Sequence, residues 1–170
     1  MAAIAEIRLG EINAKEDLSL RLGDALDVKA SIGLAVILFL ATQSAYLLDK
    51  GLPRFGMAMQ IVAIACVVLA AVFALMELWP QVYVLPEPES PEISQRIKEL
   101  TVHYGNYPDV EMHAAKAFMD DQIYWATKRI AGNQKKNRWK STLLALSFLF
   151  TGGAVAINLL TVLLSLRTIF

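Results

Sequence analysis

Three uncharged apolar stretches, Ala30–Leu48, Phe55–Met76 and Ser141–Leu166, constrain this chain more than any other feature. Each is long enough to cross a bilayer, because a hydrocarbon core ~30 Å thick needs ~20 apolar residues at a rise of ~1.5 Å per residue. The expected fold is an all-α integral membrane protein. It has three transmembrane helices and a helical cytoplasmic region, and the last span is continuous with a long cytoplasmic helix.

The 16 basic and 16 acidic residues cancel overall but are segregated between the spans. Arg8, Lys15, Arg21 and Lys29 precede the first span, and nine more basic residues lie between the second and third. Only Lys50, Arg54 and Arg167 stand on the other side. Lys and Arg accumulate in cytoplasmic loops close to the membrane. This bias predicts a cytoplasmic N-terminus and large loop, with the C-terminus outside. No cleavable signal peptide is evident, so the first span reads as an internal signal anchor. Ala2 stands where myristoylation needs glycine. Cys66 is the single cysteine, so no internal disulfide is expected.

The expected divisions are an amphipathic helix over 1–29, spans over 30–48 and 55–78, a linker and helical stalk over 79–140, and a span over 141–166. In the first segment Leu18, Leu22 and Leu26 recur at i, i+4, i+8, a pattern that predicts an apolar face. Nothing there breaks a helix before the first span. Lys50-Gly51-Leu52-Pro53 predicts a tight turn. Pro80, Pro86, Pro88 and Pro91 predict a stiff linker, because proline does not fit a helix interior. Ser90 reads as an N-cap with Pro91 as first helical residue, and Ile93, Ile97 and Leu100 as one face. This helix should end near His103-Tyr104, before Gly105-Asn106-Tyr107-Pro108. Asp109 is the next cap. From there no proline intervenes, which predicts one long helix, although Gly132-Asn133 is a point of interruption.

The spans hold no charge near their centres. Glu77 falls at the cytoplasmic end of the second span, where its carboxylate is expected to reach water. Proton pumps and ion-coupled transporters place acids or bases inside the bilayer, so this pattern argues against both. Three amides do stand inside: Gln43, Gln60 and Asn158. The orientation puts all three in the outer half of the membrane, where amides need hydrogen-bond partners. They read either as interhelical glue or as a polar layer at a subunit interface or pore. Small residues four apart (Ala41/Ala45, Ala70/Ala74, Gly152/Ala156) predict close helix packing.

The search for chemistry returns no catalytic residues. His103 and His113 have no Cys or acid cluster at metal-ligand spacing, and no phosphate loop or nucleophile elbow occurs. Asp120 and Asp121 are adjacent and so point about 100° apart on a helix. The chain does not read as an enzyme, and no metal or nucleic-acid partner is expected. Arg96, His103, Tyr104, Lys128, Arg129, Lys135 and Lys136 are candidate contacts for an anionic ligand or lipid headgroups, alongside Lys98, Tyr107 and Trp125. Cations pair with phosphate, and aromatics stack on a base.

Asp27-Val28-Lys29-Ala30 leads into the first span, and Ile130-Ala131-Gly132-Asn133-Gln134-Lys135-Lys136-Asn137-Arg138-Trp139-Lys140 feeds the last. With the transmembrane hairpin and proline-bearing linker between them, this layout resembles the Pycsar transmembrane effector family and the related SLATT-type effectors of bacterial antiphage signalling. The resemblance implies a protein of the bacterial inner membrane with no cofactor. A cyclic nucleotide as activating ligand, or an infection-linked partner, would drive a homo-oligomer to permeabilise the bilayer. It transfers no ligand residue. The alternative is a non-enzymatic anchor or scaffold subunit of a larger complex.

Overall fold

The computed structural model describes residues 2–50, 52, 54–84 and 91–167. Four helices follow in order: α1 (Ala2–Asp49), α2 (Arg54–Leu78), α3 (Pro91–His103) and α4 (Val110–Arg167). Three of them are long and apolar enough to cross a membrane. The helical segment before the first span runs into it without a break, and Gly132-Asn133 does not interrupt α4. Both follow from the absence of proline within either helix. Pro91 starts α3, where its missing N–H is no loss. Ser90 and the Gly51 and Pro53 positions of the expected turn lie outside the described residues.

The chain divides into two compact units: Met1–Leu22 with Val82–Lys136, here the polar unit, and Gly23–Gln81 with Asn137–Phe170, the apolar unit.

In the apolar unit the buried residues of each helix recur at alternating steps of three and four. On α1 they are Gly23, Leu26, Ala30, Gly33, Ile37, Leu40 and Ser44. On α2 they are Gly56, Gln60, Ala63, Val67, Ala70, Ala74 and Glu77. On α4 the same spacing links Asn137, Lys140, Leu144, Ser147, Ala154, Asn158 and Thr161, with half-buried Thr151 completing the row and Leu143 buried beside it. A 3.5-residue repeat is the signature of helices supercoiling left-handedly about a shared seam. The seam is built mostly of small and polar residues, with Leu26, Ile37, Leu40, Val67 and Leu144 among them, while Leu38, Phe39, Ile61, Val68, Leu149, Leu159 and Leu163 point outward. That inversion suits lipid, which solvates large apolar side chains as well as a protein core does, so close packing comes from small residues. A Cβ added at Gly33 would lie 3.3 Å from the Phe148 ring, and Phe73 stacks on Phe150 at 5.7 Å. Of the small-residue pairs, Ala70/Ala74 lies in the seam; Gly152 and Ala156 are exposed.

Ala70→Leu therefore overfills a fully buried seam position. The expected loss is about 1–3 kcal/mol, read as a lower unfolding midpoint in mild detergent, whereas Leu149→Ala on the outer face should change it little.

Of the expected Leu18–Leu22–Leu26 face, Leu26 is buried in the apolar unit, and the part in the polar unit is corrected. Leu18 and Leu22 are 67% and 50% exposed, while Glu16 and Ser19 are buried. The inward face of this part of α1 is polar because Glu16 has a partner there: Arg129 of α4 donates from Nε at 2.6 Å and from its terminal nitrogen at 3.2 Å to the two carboxylate oxygens. Among the described residues, Leu100, Ala114 and Ala126 are the buried apolar residues of this unit. The α3–α4 connection closes through Tyr104 N–H to Leu100 O and Tyr107 N–H to Tyr104 O. Asp109 then takes a φ of 64°, a left-handed conformation that aspartate tolerates better than most residues. Its carbonyl accepts the first bonds of α4, from the N–H groups of Met112 and His113.

Candidate functional site: polar groups of the helical seam

The apolar unit carries polar side chains on the face where its three helices meet. Asn158 of α4 and Ser44 of α1 bond each other twice. The serine hydroxyl donates to Asn158 Oδ1 at 3.2 Å, and Asn158 Nδ2 donates back at 3.0 Å. Ser147 of α4 donates to the Ala70 carbonyl of α2 at 3.0 Å. These bonds join helices across an environment with no water to compete, which favours keeping them.

The three intramembrane amides are not equivalent. Asn158 is buried and bonded to Ser44. Gln60 is fully buried, and neither its Oε1 nor its Nε2 has a hydrogen-bond partner. Gln43 is exposed on the outer face of α1. Ser44 was not foreseen as a site residue. The α1 repeat that ends Ile37, Leu40, Ser44 is the signal that could have found it, since it puts residue 44 in the seam and residue 43 outside.

A second group lies where α1, α2 and α4 pack through Leu26, Ala30, Leu78 and Leu144. Lys140, 3% exposed at its side chain, forms an ion pair with Asp27. Glu77 is completely buried, and neither carboxylate oxygen has a hydrogen-bond partner. The expectation that Glu77 reaches water is thus corrected: its position on α2 continues the Ala70–Ala74 row, which turns it into the seam. Asp27 and Lys140 are the charged groups that act on it. Each comes from one of the two short segments flanking the outer spans.

Within the polar unit, most of the candidate cations have intramolecular partners. Arg129 holds Glu16. Arg96 donates twice to Asp121, both at 2.9 Å, and this hydrogen bonding holds the guanidinium charged above its ordinary range. Lys136 donates to the Val82 carbonyl and lies 5.6 Å from the Tyr83 ring. Lys128 sits over Trp125 at 5.1 Å, and Lys135 is exposed. His103 and Tyr104 meet edge to face at 4.9 Å, and Tyr104 also stacks on His113 at 5.8 Å. Among the described residues, no group of three or more His, Cys, Asp or Glu could hold a metal ion.

Asn133 explains how the linker after α2 is held. Its fully buried amide accepts from the Val84 N–H at 3.3 Å and donates to the Val84 carbonyl at 3.2 Å. One side chain thereby satisfies both backbone polar groups of Val84. Asn133→Leu should release this linker at a cost of about 1–2 kcal/mol for two hydrogen bonds to a half-exposed peptide. Limited proteolysis would read it as faster cleavage at 82–84, with cleavage elsewhere unchanged.

A family model described as the Pycsar effector protein domain matches residues 17–167. The matched stretch includes Asp27, Ser44, Gln60, Glu77, Lys140 and Asn158. The SLATT likeness has no match of its own. No curated protein and no solved structure matches the chain. The match covers most of the chain and agrees with three helices of membrane-spanning length: this chain belongs to the Pycsar effectors, membrane effectors of antiphage defence.

Proposed function

We propose that the protein acts in the bacterial inner membrane with its N-terminus and polar unit in the cytoplasm and its C-terminus outside. A cyclic nucleotide or an infection-linked partner engages the polar unit. The chains then assemble into a homo-oligomer that permeabilises the membrane. The asymmetric distribution of Lys and Arg supports the orientation. Exposed Lys128 and Lys135 and the His103–Tyr104 pair remain candidate contacts for an anionic trigger.

The observation that carries the reading is Gln60. A buried amide with neither group bonded is costly in hydrocarbon. A rearranged seam, with water or a second chain beside it, would give those groups partners. Gln43, on the outer face of α1, is an amide that a second copy could bond.

Affinity purification in mild detergent tests the assembly. The effector reading expects a self-oligomer, enriched after phage infection or with an added cyclic nucleotide. A stoichiometric unrelated protein, with no self-association under any condition, would support a scaffold subunit instead.

A further inference from the structure

Two carboxylates and one ammonium meet where α1, α2 and α4 pack together. Lys140 pairs with Asp27, and Glu77, on which both of these groups act, receives no hydrogen bond from the ammonium. A buried carboxylate without a bonded counter-charge destabilises the packing around it. A leucine at position 77 would avoid that penalty, so stability does not account for an acid there.

The two acids differ in their access to water. The Asp27 side chain is 42% exposed, whereas Glu77 is fully enclosed. Asp27 can lose Lys140 and be hydrated; Glu77 has no such recourse. Lys140 carries its charge on a flexible four-carbon stem. It sits one turn from Leu144, which packs against Leu26 and Ala30. A rotation or slide of α4 against the α1–α2 hairpin would carry the ammonium from one carboxylate toward the other, since Asp27 and Lys140 already act on Glu77 within one packed group.

We propose that Lys140 is a two-position ion switch, paired with Asp27 in the resting chain and transferred to Glu77 when the bundle rearranges. In the resting state the Asp27 pair fixes α4 against α1. In the second state the Glu77 pair fixes α4 against α2 and relieves the stranded carboxylate. The two acids then have opposite roles, Asp27 holding the resting state and Glu77 favouring the active one. The link to permeabilisation rests on the effector reading; the exchange of partners does not.

The test uses the full chain in vesicles of phosphatidylethanolamine and phosphatidylglycerol, with no added ligand. Asp27→Asn should raise basal dye leakage about tenfold, the size of a typical coupling between states. Glu77→Gln should leave it at or below the wild-type level, and the double variant should return to wild type. Leakage that moves in the same direction for both acids overturns the switch.

A second arm needs no leakage. Double-mutant cycles on unfolding in mild detergent should show Lys140→Gln coupled to Asp27→Asn and barely to Glu77→Gln. In the Asp27→Asn background, the coupling of Lys140 to Glu77 should become strong. If it stays weak, the switch is wrong. If the coupling transfers while no variant leaks, the switch stands and the effector reading fails.

Discussion

Arg129→Ala should destabilise the polar unit by about 3–5 kcal/mol, the usual result of stranding one member of a buried ion pair. The Glu16 side chain is 4% exposed and the Arg129 side chain 19%, so water compensates neither fully. Arg129 reaches both Glu16 oxygens, a fork that lysine cannot reproduce. Arg129→Lys should therefore fall between wild type and alanine. The informative variant is the double replacement Glu16→Leu with Arg129→Met. It removes the charge that the single variant leaves buried, and most of the stability should return. Unfolding followed by helical circular dichroism in mild detergent distinguishes these outcomes. Equal losses for the single and double variants would mean that the pair itself, rather than its desolvation, dominates.

Gln60→Leu should have the opposite sign. Leucine is close in size and removes two buried groups that have no partners. The resting chain should gain about 1–3 kcal/mol, the penalty ascribed to an unsatisfied buried polar group. Toxicity on induced expression should fall with it, because the resting seam becomes the better-satisfied state and the rearranged one loses an amide. Asn158→Leu provides the contrast, since it breaks an existing pair and leaves the Ser44 hydroxyl without that partner. It should lower the unfolding midpoint, by about 1–2 kcal/mol given the modest strength of such bonds between membrane helices. A Gln60→Leu variant that is less stable than wild type would place an unseen partner on Gln60 in the resting protein.

The helices were legible because their signals are local. Proline in the linker, apolar length in the spans and the lack of proline after Pro108 fixed α2, α3 and α4 almost to their ends. The seam was not legible by hydropathy. In lipid most of the large apolar residues face outward, so Ala63, Ala70 and Ala74 carry no hydropathy contrast with Val68 or Leu75 beside them. Only the three–four spacing distinguishes them. In the polar unit a leucine stripe was the natural guess for the packed face, but the Glu16–Arg129 pair, 113 residues apart in sequence, reversed it. The same limit hid Asn133. As a helix residue after glycine it suggests a break, and its value to Val84 comes from a segment 49 residues away. Glu77 looked exposed because it stands near a helix end. Its burial follows from continuing the α2 row one step further.

The proposed role has this chain breach the membrane when infection is signalled. A membrane-potential dye in cells expressing it from an inducible promoter tests this most directly, with phage infection and a panel of cyclic nucleotides as triggers. The expected result is depolarisation that follows the trigger and precedes lysis, weakened in Gln60→Leu at equal expression. A stable membrane potential under every trigger, with the protein confirmed in the membrane, would contradict it.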